Sequence, residues 1–151
     1  PFQCGSAGLV SGNLSQDPEQ CTGGYSPGFW GQCGPNDNGR FGWFSAQGGL
    51  RFVVIFGYEY CAGGGMSYDF TLLEIMTANR QCGSDINTSF TGSFGWHAVA
   101  TYLNSIYVSS YLLNTAEVVN LVNDVMADDA VMIGGNTYNC QELKDLFDQT
   151  Y

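Results

Sequence analysis

The chain has 151 residues, enough for one domain that buries about two thirds of the surface exposed by its unfolded form. Its 14 acidic residues face 4 basic ones, and the formal net charge of −10 argues against nucleic acid or anionic lipid as a partner. Charged residues make up 12% of the chain, against about 25% in ordinary domains, and aromatic residues make up 15%. A surface so poor in ions favours contact with carbohydrate or with other protein subunits.

Six cysteines are spread over nearly the whole chain: Cys4, Cys21, Cys33, Cys61, Cys82 and Cys140. They lack the paired Cys-x-x-Cys spacing that zinc sites and thioredoxin-like redox motifs use. An even, dispersed set predicts up to three disulfides, and therefore an oxidising compartment, with the pairing left open. The alternative is six reduced cysteines in a cytosolic core.

The start of the chain and its hydropathy bear on export. Pro1-Phe2-Gln3-Cys4 lacks the charged and apolar segments of an export signal, so we expect a mature form whose signal has been removed. The longest strongly apolar stretch, Phe52 to Phe56, is far shorter than the ~20 residues that cross a bilayer. Two glycosylation sequons, at Asn13 and Asn87, would matter only in a glycosylating host. The sequence therefore predicts a secreted protein without a membrane span.

The glycine-rich N-terminal half, residues 1–66, predicts loops and strands. It holds most of the glycines and all four prolines. Within it, Ser26-Pro27-Gly28 predicts a tight turn, because proline fixes φ at the second position and glycine accepts a positive φ at the third. We expect this turn to project Phe29 and Trp30 into the core, with the Trp30 indole close to the imidazole of His97. The alternative is an exposed aromatic platform for sugar rings or another subunit.

The apolar run from Leu50 to Tyr60 predicts a strand, with Arg40 to Ser45 as its hairpin partner. A two-stranded ribbon alone is marginal, and Ala7 to Leu14 is the one further strand candidate. The ribbon edge is therefore expected to accept a strand from a neighbouring molecule, unless loops or helices of the same subunit cover it. The predicted subunit contacts are Phe41, Trp43, Phe44, Phe52, Val53, Ile55, Tyr58 and Tyr60.

Residues 67–151 predict four helices. The first begins at Asp69 as its N-cap and ends near Asn79, and the second runs from about Ser93 to Val108. The third begins at Asn114 and the last at Asn139, each followed three positions later by a glutamate that completes a capping box. The predicted inward-facing residues, helix by helix, are Leu72, Leu73 and Met76; Trp96, Val99, Ala100, Leu103 and Tyr107; Val118, Leu121, Val122 and Val125; and Leu143, Leu146 and Phe147.

These elements predict one disulfide-stabilised α+β domain over residues 1–151. Its N-terminal half contributes a small antiparallel β-ribbon or sheet, and its C-terminal half about four helices. Cys140, in the first turn of the last helix, is expected to tie that helix to the rest of the domain.

Several segments resemble a family of secreted bacterial surface proteins of unknown function. The family signature is Cys-Thr-Pro-Gly-Tyr/Phe-Trp-Lys-Asn followed by a His-Ala-Val-Ala helix; here Cys21-Thr22, Tyr25 to Trp30 and His97 to Asn104 correspond to it. Tyr111 to Val122 and Phe70 to Glu74 are similar to two further family segments. Two departures are Gly23-Gly24 before Tyr25 and Gly31-Gln32 in place of Lys-Asn. The likeness spans residues 21–32 and 69–148, and it implies an extracellular structural or binding role.

No catalytic, metal or cofactor site is predicted. His97 is the only histidine, and no nucleophile or carboxylate stands with it at a catalytic spacing. The end of the third helix carries Asp124, Asp128 and Asp129, yet no calcium-binding loop of the Asp-x-Asp-x-Asp-Gly kind is present. Glu74 forms no identifiable carboxylate pair with another residue.

The sequence therefore predicts a structural protein rather than an enzyme. We expect a secreted, self-assembling subunit of a cell-surface fibre or layer, forming a homo-oligomer or homopolymer through the apolar strand. The alternative is a monomeric carbohydrate-binding module in which Trp30, Trp43 or Tyr58 stacks on the sugar rings of a polysaccharide.

Overall fold

The structure is a computed structural model that describes residues 23–58, 60–61, 66–67, 70–77 and 94–151. Of residues 60, 61, 66 and 67 it describes the backbone alone. The helices are α1 (Pro27–Trp30), α2 (Trp43–Ala46), α3 (Phe52–Phe56), α4 (Leu72–Thr77), α5 (Phe94–Tyr107), α6 (Thr115–Asp128) and α7 (Cys140–Asp148). Two 3-10 turns, Pro35–Asp37 and Arg40–Gly42, precede α2. The strands are β1 (Tyr60–Cys61), β2 (Met66–Ser67), β3 (Val131–Ile133) and β4 (Asn136–Tyr138).

Helix α5 lies at the centre of the domain and packs against α1, α4, α6 and α7. Seven consecutive residues of α5, Ala98 to Asn104, are buried, so the helix is covered on almost every side. A single buried cluster joins the N-terminal Trp30 and Trp43 to residues of all the later helices. The two halves predicted from the sequence therefore share one core.

The predicted starts of the last two helices are confirmed. Asn114 accepts a hydrogen bond from the backbone N–H of Glu117, whose carboxylate accepts one from the Asn114 N–H. Asn139 and Glu142 form the same reciprocal pair at the start of α7. Each pair satisfies two backbone donors that a helix end otherwise leaves without partners.

Helix α4 differs from its prediction in its cap. Thr71 and Glu74 exchange backbone-to-side-chain bonds of 2.8 and 3.1 Å, so the capping box begins at Thr71 rather than at Asp69. Asp69, Asn79 and Ser93 lie outside the described residues. Leu72 and Met76 of α4 are buried as predicted. The predicted second helix is confirmed from Phe94 to Tyr107, the residues of α5.

The predicted strand from Leu50 to Tyr60 is wrong over most of its length. Phe52–Phe56 is a helix that places Phe52 and Phe56 on one side, where both are fully buried with ring centroids 4.6 Å apart. Gly57 ends it at a φ of 84°, and Asn123 donates a 3.0 Å hydrogen bond to the Phe56 carbonyl. A run in which every residue is apolar fits either element, because it carries no periodicity that separates them.

The predicted partner strand, Arg40 to Ser45, is also helical. Its first part forms a 3-10 turn and its second part begins α2. The strand candidate from Ala7 to Leu14 lies outside the described residues. The antiparallel pairs that the described chain does contain are β1 with β2 and β3 with β4.

The β3–β4 hairpin was missed from the sequence. Gly134 and Gly135 connect the strands with φ values of 56° and 85°, which is the type I′ geometry that matches strand twist. The Gly-Gly pair between Val-Met-Ile and Asn-Thr-Tyr is a sequence signal for such a hairpin.

The cysteines are described in part. Cys33 is half-buried and Cys140 is fully buried, and neither is a free thiol. No disulfide joins two cysteines whose side chains are both described, so the pairing stays a prediction. In the described ranges, no helix combines the length and the apolar character needed to span a bilayer.

Candidate functional site

The Pro-Gly-Phe-Trp motif forms the whole of α1, a helix of a single turn. Ser26 is the N-cap, and its side chain accepts a hydrogen bond from the N–H of Phe29. Pro27 occupies the first helical position, where a missing N–H has no cost. Trp30 is fully buried, which confirms the prediction that it plugs the core, and Phe29 is half-buried beside it.

Asn104 of α5 ties this motif to the centre of the domain. Its carbonyl oxygen accepts hydrogen bonds from the Tyr25 N–H at 2.7 Å and the Trp30 indole at 3.2 Å. Its amide group donates one to the Tyr25 carbonyl at 2.9 Å. A Cβ on Gly24 would stand 2.5 Å from the Asn104 side chain, so the close approach requires glycine at that position.

The predicted contact between Trp30 and His97 is replaced by two separate contacts. Trp30 meets α5 at Asn104 and at Tyr107, with 5.8 Å between the Trp30 and Tyr107 ring centroids. His97 is two helical turns away from Asn104 and stacks on Tyr151 instead, with a centroid distance of 5.7 Å.

Phe41 is held in an unfavourable position next to the motif. Its backbone has a φ of 58°, a region that costs a non-glycine residue about 1–2 kcal/mol, and its side chain is 58% exposed. Gly39 and Gly42 on either side have φ values of 75° and 72°, so the chain turns sharply through this segment. Strained backbone positions cluster at functional sites, and this one carries an exposed aromatic ring.

Four rings form a continuous patch, which we call the aromatic surface: Tyr25, Phe29, Phe41 and Tyr107. Tyr25 stacks on Phe29 at 3.9 Å, and Phe41 stacks on Tyr107 at 5.8 Å with their planes 12° apart. The Tyr25 and Phe41 centroids are 6.3 Å apart, so the two stacks adjoin. Tyr25 is 42% exposed, while Phe29 and Tyr107 are half-buried.

The charge beside the aromatic surface is positive. The guanidinium carbon of Arg40 lies 5.0 Å from the centroid of the Phe29 ring, within the range of a cation–π contact. Two nitrogens of the same guanidinium donate to the side-chain oxygen of Gln32, which orients it over the ring. Burial raises the pKa of Tyr107 above its ordinary value, so its hydroxyl adds no negative charge beside Arg40.

A second polar cluster links α5 to the end of the described chain. The Tyr151 hydroxyl lies 3.0 Å from Nδ1 of His97 and 3.2 Å from Oγ1 of Thr101. The Tyr111 hydroxyl lies 2.5 Å from Oγ1 of Thr150, which donates to the Phe147 carbonyl. Burial raises the pKa values of Tyr111 and Tyr151 well above the ordinary value of a tyrosine. The cluster positions α7 and contains no activated nucleophile.

The ionisation of His97 makes stability depend on pH. Burial lowers the pKa of His97 from 6.5, and the Asp148 carboxylate, 4.0 Å from Nδ1, opposes the shift. The unfolded chain therefore takes up this proton at a higher pH than the folded chain. The neutral imidazole of His97 therefore makes its full contribution to the free energy of unfolding above the unfolded pKa of 6.5. This contribution decreases as the pH falls below 6.5, and it stops changing below the folded pKa. His97→Gln is expected to flatten this part of the stability curve.

Urea unfolding of both proteins at a series of pH values between about 7 and 5 measures the effect. The difference between wild type and His97→Gln isolates this histidine from the carboxylates, which both proteins share. If the free energies of unfolding of the two proteins changed in parallel with pH, protonation of His97 would not destabilise the folded protein.

The predicted subunit contacts do not form one surface. Their burial in the domain contradicts a contact role for Trp43, Phe44 and Phe52, because their side chains lie in its own core. The Trp43 indole donates to the Trp30 carbonyl at 2.9 Å. The others divide as follows: Phe41 and Tyr58 are exposed, Val53 and Ile55 are half-buried, and the side chain of Tyr60 is outside the described residues.

The acidic residues form no metal centre in the part of the chain that the structure describes. Asp124 and Asp128 are exposed on α6, and Asp129 has a φ of 53° just after it. Asp129 accepts a hydrogen bond from the Cys140 N–H at 3.4 Å, which links the end of α6 to the start of α7. Glu74 is the capping residue of α4, which accounts for its position.

The comparisons with known proteins leave the family open: no protein-family model, no curated protein and no solved structure matches this chain.

Proposed function

We propose that the protein is a secreted structural subunit of the cell exterior that self-associates, and that the aromatic surface is its contact. The observation that carries the proposal is Phe41, whose ring is exposed at a strained φ within a patch of four aromatic residues. Two costs coincide there, strain in the backbone and exposure of an apolar ring. A contact between subunits that covers the Phe41 ring offsets the cost of exposing it. The strained backbone is then what presents the ring to the partner.

The chemistry of the aromatic surface fits a protein interface. Tyrosine, phenylalanine and arginine are enriched at the buried centres of interfaces, and the aromatic surface combines four such rings with Arg40 at its side. A second copy of the same surface offers rings of the same shape, which a two-fold contact requires.

Charge sets the conditions for this association. Each copy carries a formal net charge of −10, so two copies repel each other at low ionic strength. Salt screens that repulsion and leaves the contact between rings intact, so we expect association to strengthen as salt is added.

Disulfides belong to the same proposal. We propose that the six cysteines are oxidised, as in other secreted domains, and that the crosslinks hold each copy rigid. The resemblance of the motif segments to secreted surface proteins supports the extracellular location.

Phe41→Asn tests the proposal. Asparagine tolerates a positive φ, so the variant removes the ring while relieving strain, and the free energy of unfolding should change by no more than about 1 kcal/mol. If Phe41 is central to the contact, the dissociation constant should rise at least about tenfold. Sedimentation velocity or light scattering over a concentration series at high ionic strength measures it.

The matched control is Val54→Gln. Val54 is 68% exposed on α3, and the change likewise replaces an exposed apolar side chain with a polar one while keeping helix propensity. The control should associate like the wild type. A wild-type protein that stays monomeric at every concentration, or an equal loss in both variants, would contradict the proposal.

A second candidate is a monomeric carbohydrate-binding module that uses the same aromatic surface. Trp30 and Trp43 are fully buried and cannot stack on a sugar ring, whereas Tyr25 and Phe41 are exposed side by side next to Arg40 and its partner Gln32. Retention of a monomeric protein on insoluble polysaccharide, lost in Phe41→Asn and kept in Val54→Gln, would favour this function over self-association.

A further inference from the structure

A groove of about 230 Å³ runs between helix α6 and strand β3, on a part of the molecule that the proposed function does not use. Its apolar lining is Leu113, Leu121, Val131 and Ile133, and its polar lining is Glu117, Asn120 and Asp124. Met132 also lines the groove, and its side chain is 70% exposed. An exposed methionine is a flexible, polarisable contact that adapts to different partners.

In the hairpin, one residue of β3 has its backbone N–H and C=O pointing away from the partner strand. Its two-residue type I′ turn makes Ile133 and Asn136 a hydrogen-bonded pair, because such turns close on one. Pairs alternate along an antiparallel ladder, so Met132 and Thr137 form the next, non-hydrogen-bonded pair. The N–H and C=O of Met132 therefore face the edge of β3 with which no described strand pairs, where they can bond to an added strand.

The groove is negative along its helical side. Glu117 and Asp124 are seven positions apart on α6, two turns of the same face, so their carboxylates stand about 10 Å apart along the helix axis. Among the described residues that line the groove there is no lysine or arginine. The field of the whole chain, with its net charge of −10, has the same sign.

We propose that this groove binds an extended peptide segment of another protein, one that carries lysine or arginine next to apolar residues. The segment adds a strand at the edge of β3 by hydrogen bonding to the backbone N–H and C=O of Met132. Its apolar side chains contact Leu121 and Met132, and its cations lie near Glu117 and Asp124. Main-chain bonds give such contacts affinity, while the lining side chains and their charge give specificity.

A second copy of the chain does not supply this segment. The chain has only four basic residues, Arg40, Arg51, Arg80 and Lys144, and the nearest two are 11 positions apart (51 minus 40). No short stretch of it carries two cations. We therefore take the partner to be a separate, basic polypeptide, because no stretch of these 151 residues matches the two charges of the groove.

The test uses short fluorescent peptides and the whole protein in an anisotropy titration. The first probe alternates lysine and valine, the second alternates glutamate and valine, and the third repeats the first with N-methylated amides that cannot bond to a strand edge. The lysine probe should bind, more weakly as salt rises, and the other two should fail to bind.

The matched protein variants change two charges each. Glu117→Gln with Asp124→Asn removes the negative charge of the groove and keeps the capping box, since glutamine serves as well as glutamate there. Glu142→Gln with Asp145→Asn makes the same changes on α7, outside the groove. The groove variant should bind the lysine probe about three- to tenfold more weakly, and the α7 variant should bind it like the wild type.

Three outcomes would overturn the inference. Equal weakening in both variants would show attraction to the net charge alone. Equal binding of the N-methylated probe would exclude strand addition, and absence of any binding by the lysine probe at low salt would exclude the groove as a peptide site.

Discussion

Replacing Trp43 with alanine is expected to lower the free energy of unfolding by about 3–5 kcal/mol. The side chain is fully buried, its ring packs edge-on against Phe44 at 5.0 Å, and its indole donates to the Trp30 carbonyl. The substitution removes a large apolar side chain, leaves a cavity and leaves that carbonyl without its partner. Urea unfolding followed by circular dichroism measures the change.

Phe41→Asn is the matched comparison, because it removes an exposed aromatic side chain two positions earlier in the same segment. Its unfolding free energy should stay near the wild-type value. The opposite result, a stable Trp43→Ala protein with weakened association, would return Trp43 to the subunit contact that the sequence predicted.

Replacing Asn104 with alanine is expected to cost about 3–4 kcal/mol. The change leaves three partners without their hydrogen bonds: the Tyr25 N–H, the Tyr25 carbonyl and the Trp30 indole. The aromatic surface should also become less ordered. Tyr25 and Phe29 stack on each other, and Asn104 holds the segment that contains them against α5. Urea unfolding gives the cost, and a change in the native tryptophan emission, to which Trp30 contributes together with Trp43 and Trp96, reports this loss of order.

Asn123→Ala provides the scale for that result. Asn123 is half-buried and donates one hydrogen bond, to the Phe56 carbonyl, so its loss should cost about 1 kcal/mol. Equal costs at the two positions would mean that the Asn104 bonds contribute no more than a single bond does.

Local signals made the C-terminal helices predictable. At Asn114 and Asn139 an N-cap residue is followed by a glutamate three positions on, and both partners of each box lie within four residues. Such interactions need no knowledge of distant segments, and the structure places both helices where the capping pattern does. Thr71 and Glu74 have the same spacing, but Asp69 two positions earlier is also a favourable N-cap residue, so the sequence alone does not separate the two starts.

Tertiary packing made the apolar run from Phe52 to Phe56 unpredictable. All five residues favour burial, and the helix is selected by contacts far along the chain, such as the bond from Asn123 to Phe56. Gly57, which ends the helix at a positive φ, was the local sign of a helix end.

The aromatic surface was predicted only in fragments. Phe29 was assigned to the motif, Phe41 to a ribbon and Tyr107 to the inner stripe of a helix, because a sequence does not show which rings meet. Phe41 lies between Gly39 and Gly42, which marks a turn, yet its own positive φ is imposed by the packing of the loop. Asn104 carried a clearer signal: an asparagine on a helix whose other residues are mostly apolar requires partners when that helix is buried.

The most direct test of the account asks which side chains become covered on association. Hydroxyl-radical footprinting compares the protein at concentrations above and below its association midpoint, with the modification of each side chain read by mass spectrometry. We predict that Tyr25 and Phe41 become protected, while Val54, Tyr58 and Met132, which are as exposed or more so than Tyr25, keep their reactivity. Protection at Tyr58 with Phe41 still reactive would contradict the account.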